Sequence, residues 1–221
     1  MVYEFTPTSQ IQLSDWWNIF IRGGWMDISL IGYILLLSGL LLATLSFSKG
    51  KWVKVTFKVY TIILLAIFSF IVVSDLELYR NWGFRIDATP LFFLKTPGEA
   101  FASISPLIII MLVTISVIFF TIFYVFYQKL VMKKAITIEQ GKWWHIPIFI
   151  LFSALMIIPI RGNFGIAPMN PGKLYYSQNM YCNHAALNSV WNMMYSLSKS
   201  GSMNKKYHDY IDKKKAKHIA A

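Results

Sequence analysis

Ile104 to Tyr127 is a run of 24 residues without one charged side chain. Hydrocarbon offers no partner to a backbone N–H or C=O, so an apolar run of this length satisfies those groups internally by forming a helix. About 20 residues at 1.5 Å rise cross a 30 Å hydrocarbon core. Composition agrees: the chain is 56% hydrophobic and only 14% charged, too apolar for a soluble domain. The net charge of +11 would suit a nucleic-acid binder. Its lysines and arginines are dispersed among apolar runs rather than gathered on one domain, which excludes nucleic acid as the partner and leaves the lipid bilayer.

Further apolar runs lie at 27–47, 55–74 and 146–160. The last is short and holds Pro147 and Pro159; it predicts a kinked or tilted span, with a re-entrant segment as the alternative. The fold class expected is therefore all-α: a polytopic membrane bundle of about four transmembrane helices plus interfacial helices. Residues 1–197 form this domain, and the polar, basic stretch 198–221 reads as a linker toward an extracytoplasmic domain. No basic head followed by an apolar core marks a cleavable signal peptide in the first 12 residues. Trp16, Trp17, Phe20 and Trp25 instead predict an interfacial approach to the first span.

Lysine placement orients the bundle. Lys49, Lys51, Lys54 and Lys58 follow the first span without an acid among them, and Lys129, Lys133, Lys134 and Lys142 follow the third against Glu139 alone. Between the second and third spans, Arg80, Arg85 and Lys95 are balanced by Asp75, Glu77, Asp87 and Glu99. The positive-inside bias puts the lysine-rich connections in the cytoplasm, and both termini and the Asp75 loop outside. Seven lysines from Lys199 to Lys217 lie too far from any span to alter this.

Charge directly beside a hydrocarbon boundary needs water or a partner. Asp75, Glu77 and Arg80 abut the apolar run ending at Val73, and by the orientation above Asp27 and Arg161 end their own spans at the same face. The expectation is that Arg161 or Arg80 pairs with Asp75 or Glu77 and that Asp27 joins them, so that Arg161→Gln would rescue Asp75→Asn. Each side chain reaching water independently is the alternative. A third is that Arg80, Arg85 and Arg161 face an anionic lipid headgroup, to which a guanidinium binds bidentately. Thr89-Pro90 and Thr96-Pro97-Gly98 read as breaks between short interfacial helices in this loop, and Arg22-Gly-Gly-Trp25 as a turn. Residues 161–172 read as irregular. Ala186, Leu187, Val190, Met193, Met194 and Leu197 recur at helical spacing within 183–197. Ser38, Gly39 and Ala43 permit close helix approach. Cys182 stands alone and reads as a buried or membrane-adjacent thiol, and the histidines at 145, 184, 208 and 218 lie too far apart to fill a metal site.

Asp75-Leu-Glu-Leu-Tyr-Arg-Asn-Trp-Gly-Phe-Arg85 resembles the first outer loop of lipoteichoic-acid-synthase-like phosphoglycerol transferases, bacterial membrane enzymes of the alkaline-phosphatase/sulfatase superfamily. Three more blocks follow the family's order. Arg22-Gly-Gly-Trp-Met-Asp-Ile-Ser29 resembles the entry to a span. Arg161-Gly162 with Pro168, Tyr176-Ser177 and Asn179 resembles the exit from the last one. Asn183 to Leu197 resembles the helix leading to the catalytic domain. The similarity runs from about Leu13 to Ala221, but departs from the family in showing four spans where five are usual. It also stops where a hydrolase-like domain with a threonine nucleophile and a divalent metal, manganese by the resemblance, would begin. No catalytic, cofactor-binding or metal residue carries over to these 221 residues. The resemblance implies a membrane anchor in the bacterial cytoplasmic membrane, shortened at both ends, for a metal-dependent phosphoglycerol transferase. Its partners would be an anionic phospholipid donor and a separately encoded catalytic domain. A stand-alone, non-catalytic membrane protein that assembles with a partner is the alternative, and a small transporter the third.

Overall fold

A computed structural model describes residues 11–46, 48, 50–93, 98, 104–132, 142–162 and 167–203, and every regular element among them is helical. Helices α1 (Leu13–Leu45) and α2 (Gly50–Trp82) have 33 residues each. At 1.5 Å per residue each is about 50 Å long, well beyond the thickness of a hydrocarbon core. They fold back on each other, and the Tyr60 hydroxyl of α2 donates to the Ile34 carbonyl of α1 at 3.0 Å. A five-residue helix, α3 (Thr89–Phe93), follows. Then comes α4 (Pro106–Tyr127), extended by a π turn at Gln128–Met132. Among the described residues, helices α1, α2 and α4 are the three long and apolar enough to cross a membrane.

The fourth apolar run forms α5 (His145–Leu155) and α6 (Ile157–Arg161), shorter than the others. Pro159 explains the break at Met156. It has no N–H to give the carbonyl four residues back, and its ring crowds that carbonyl. The pair runs antiparallel to α1 along a seam of small residues. Gly39 faces Phe149 and Ser153, and Gly32 faces Met156 and Ile160. Ser153 Oγ crosses the seam to the Leu36 carbonyl at 3.2 Å. Gly39 thus acts as its spacing predicts and Ala43 is buried, while Ser38 bonds the Ile34 carbonyl of its own helix at 2.8 Å, the same carbonyl that receives the Tyr60 hydroxyl of α2. Helix α4 packs against α2 and buries none of its own residues, which leaves its aromatic-rich surface to lipid. Phe120 and Tyr124 stack there with centroids 5.8 Å apart.

The densest core lies at one end of the bundle. There α7 (Met180–Ala186), α8 (Ser189–Met203) and a 3-10 turn at Pro171–Leu174 close over the N-terminal part of α1 and the C-terminal part of α2. Met26, Leu30, Ile71, Ile86, Met169, Leu174, Leu187 and Trp191 fill this cap.

Several boundaries differ from the sequence expectations, each for a local reason. The interfacial approach at residues 13–26 is continuous with the first span. Arg22–Trp25 is helical rather than a turn, and Gly23 serves packing there: the Ala186 carbonyl lies 3.0 Å from where a Cβ would stand. Asp75–Trp82 is helix rather than loop: Ile71, Asp75 and Tyr79 fall on one buried stripe of α2. The helix at 183–197 is two helices. Asn188 divides them by accepting the Trp191 N–H at 2.9 Å and starting α8, which continues past Ser198 to Met203. Pro90 opens α3 rather than breaking a helix. Lys49, Lys95 to Pro97, Glu99, Lys133, Lys134, Glu139 and residues 204–221 lie outside the described residues.

Candidate functional site: a cap locked by a buried ion pair

Gly83 ends α2 with φ of 72°, the left-handed conformation that glycine adopts without a Cβ penalty, and its N–H returns to the Tyr79 carbonyl at 2.9 Å. That reversal brings the next residues back along the helix they left. Arg85 Nη1 donates to Asp75 Oδ2, and the Ile86 N–H donates to Asp75 Oδ1 at 2.8 Å. Both carboxylate oxygens are thereby occupied on a residue only 1% exposed. Arg85 Nε donates to the His184 carbonyl at 2.9 Å. One guanidinium therefore ties the end of α2 to α7.

His184 sits beneath this tie, 7% exposed, with its Nδ1 3.2 Å from the Tyr79 hydroxyl. The rings of Tyr79 and Tyr175 meet it edge-on at 5.7 and 6.1 Å. Burial, reinforced by the Arg85 charge and partly offset by Asp75, pushes its pKa below the ordinary 6.5. The folded cap therefore favours the neutral imidazole, and the unfolded chain binds a proton more readily in acid. The His184 contribution is complete above pH about 6.5 and is lost as pH falls through and below that value. Thermal midpoints in detergent are expected to fall between pH 8 and pH 5, and His184→Gln to flatten part of that slope. An identical slope in the variant would remove His184 from this account.

The other side of the cap is built from α1 and α8. Trp191 Nε1 donates to Ser29 Oγ at 3.0 Å, and Ser29 donates to the Ile160 carbonyl at 2.8 Å. That carbonyl lies in the last turn of α6, where no helical donor follows. Asn188 Nδ2 donates to Asp27 Oδ1 at 2.7 Å. Asn192 Nδ2 donates to the Ile86 carbonyl at 2.8 Å, and Ser196 Oγ accepts the Ala88 N–H at 3.0 Å. Arg22 lies over the Tyr176 ring, 4.6 Å from its centroid. The Asn183 side chain accepts the Tyr176 and Ser177 N–H groups, both at 2.9 Å. Cys182 is fully buried nearby, and burial raises its thiol pKa, which makes it a poor nucleophile.

The predicted charge cluster is therefore redistributed. Asp75 pairs with Arg85, ten residues away, and not with Arg80 or Arg161. Arg80 and Glu77 do meet, at 3.8 Å and one helical turn apart, with Arg80 exposed and Glu77 partly buried. Asp27 joins the cap through Asn188 rather than through an arginine. Arg161 is exposed at the end of α6, where its carbonyl accepts the Met169 N–H at 3.0 Å. Sequence reading passed over His184, Asn188, Asn192, Ser29 and Trp191 as members of the site. The available signal was asparagine recurring at 183, 188 and 192 within an apolar stripe, a sign of polar side chains with partners inside.

Comparison with protein-family models, with curated proteins and with solved structures finds no match. Among the described residues no three His, Cys, Asp or Glu side chains converge as a metal site. The polar groups of the cap pair with one another, which is the chemistry of a structural lock.

Proposed function

We propose that the chain is the membrane domain of a lipoteichoic-acid-synthase-like system. It anchors a phosphoglycerol-transferase domain and holds that domain at the extracytoplasmic face of a bacterial cytoplasmic membrane. The observation that carries this reading is spatial. The sequence blocks that resemble the family, at 22–29, 75–85 and within 161–197, interlock in one cap: Ser29 with Trp191 and Ile160, Arg22 with Tyr176, and Arg85 with Asp75 and His184.

In this proposal α5 and α6 together complete a fourth crossing. They run about 26 Å at 1.5 Å per residue, close to a hydrocarbon thickness, with Pro159 in the last turn. The dispersed lysines put the α1–α2 connection in the cytoplasm and the cap outside. Helix α8 leaves the cap as a rigid support for whatever follows or docks upon it, whether on the same polypeptide or on a separate one. The transferase chemistry, with its metal, belongs to that domain.

A chimera tests this. This chain replaces the membrane domain of an active phosphoglycerol transferase, joined after Met203, and lipid-linked phosphoglycerol polymer is measured in cells lacking their own enzyme. Polymer well above a soluble-domain control is expected. A chimera that inserts normally and makes no more polymer than that control would favour a stand-alone membrane protein with another partner.

A further inference from the structure

Helix α1 carries an apolar face left open among the described residues. Leu13, Trp17 and Phe20 lie on it, 86%, 68% and 71% exposed, and Gly24 one turn further has nothing within 4 Å of where a Cβ would stand. Ile28, Ile31 and Leu35 continue the line toward the membrane interior, each more than a third exposed. The steps of four, three and four residues repeat every eleven. At 3.67 residues per turn such a repeat keeps its side chains nearly in line along a helix. No charged residue falls on this line. Asp27 flanks it and is engaged by Asn188, and Arg22 points the other way, over the Tyr176 ring.

The lower part of this face suits hydrocarbon; the upper part does not reach it. Ser29 meets the Ile160 carbonyl in the last turn of α6, so the polar edge of the membrane stands near Asp27 and Arg161. Along the axis Phe20, Trp17 and Leu13 rise about 10, 15 and 21 Å beyond Asp27, against a headgroup layer ~5–8 Å deep. The first turns of α1 do not bend over to lay their rings on lipid, for the helix is continuous and braced by the cap. Gly23 abuts the Ala186 carbonyl, and the Tyr176 hydroxyl donates to the Asp15 carbonyl at 3.2 Å. A partner for this face must follow it from water into hydrocarbon without a charged break. A second α1 matches it in length, depth and direction, because two copies inserted alike stand parallel about an axis along the membrane normal. Trp17, Phe20 and, on the flank, Trp25 expose on the order of 400 Å² at ~200 Å² per ring. That is about half of the ~800 Å² each partner brings to a standard interface, before Leu13, Ile28 and Ile31 are added. Buried aromatic anchors of this kind carry much of the energy of an interface. We propose that the chain pairs with a second copy of itself, α1 against α1, along the face from Leu13 to Ile31. The pairing stands independently of the transferase reading.

The test uses the full chain in membranes. Phe20→Cys is oxidised with copper phenanthroline beside wild type, whose buried Cys182 sets the background. Leu107→Cys is the control, an exposed position on α4, which packs against α2. Crosslinked dimer from Phe20→Cys is expected at least ~tenfold above both, the yield of a central interface position. In a second measurement, donor- and acceptor-labelled chains are mixed in phosphatidylcholine liposomes, and Förster transfer is followed as lipid is added. Wild type should keep its transfer on dilution. Phe20→Glu, which places a carboxylate on an open face without touching the cap, should weaken the association at least ~tenfold with unchanged helix content. Equal crosslinking at Phe20→Cys and Leu107→Cys would overturn the pairing, as would equal association of wild type and Phe20→Glu. Crosslinking of Phe20→Cys to a different protein would also overturn it and assign the face to that partner. Protection of Phe20→Cys from a water-soluble maleimide without any dimer would overturn it in favour of lipid.

Discussion

Arg85→Leu is expected to destabilise the folded chain by about 3–5 kcal/mol, because it strands a carboxylate in the cap core. Asp75 is 1% exposed and has no route to water in the folded state. Its remaining partner would be the Ile86 N–H, a neutral donor at 2.8 Å. Adding Asp75→Asn to Arg85→Leu should restore at least half of the loss, since an amide oxygen keeps the Ile86 bond and carries no charge to desolvate. Arg80→Leu provides the contrast. Arg80 is exposed and stands 3.8 Å from Glu77, and pairs of this surface kind are worth about 0–1 kcal/mol. Unfolding titrations in mixed detergent micelles give all of these values. Arg161→Gln is not expected to rescue Asp75→Asn, because the charge facing Asp75 belongs to Arg85.

Gly39→Ala is expected to cost about 1–3 kcal/mol, the range for forcing extra atoms into a packed seam. A Cβ there would collide with Ser153 Oγ, stand 2.9 Å from Phe152 Cδ1 and 3.3 Å from the Phe149 carbonyl. Backbone sits behind those contacts, so α5 must move away from α1 as a unit. Gly39→Leu should separate the helices outright and leave little folded material. Gly24 serves as the reference, for it is a helical glycine with nothing within 4 Å of where a Cβ would stand. Gly24→Ala should be neutral or stabilising by up to about 1 kcal/mol through helix propensity alone. Ser153→Ala in the Gly39→Ala background should recover part of the loss, because the hydroxyl is the nearest obstacle.

The membrane character of the chain was legible because it depends on run length and charge, which are local properties. The uncharged run at 104–127 became α4 almost to the residue. Gly39 was legible as a contact position because small residues permit close helix approach. The Asp75 partner was not. Counting charges at a boundary placed Arg80 and Arg161 beside Asp75, but the choice of Arg85 depends on one φ angle at Gly83 that folds the chain back. Nor could apolar periodicity reveal the break at Asn188, since α7 and α8 keep similar stripes on either side of it. The helical stretch of α2 beyond Val73 was hidden in the same way. Asp75 occupies a core position there, and a charged residue on a buried stripe looks like a loop residue until its partner is known.

Everything proposed for the cap formed by α7, α8 and the projecting ends of α1 and α2 requires that it lie outside the cytoplasm. A reporter enzyme active only beyond the membrane, fused after Ala221 in one version and inserted after Ser48 in another, tests this most directly. Activity after Ala221 with none after Ser48 is the predicted result. Activity after Ser48 with none after Ala221 would invert the bundle and contradict the account.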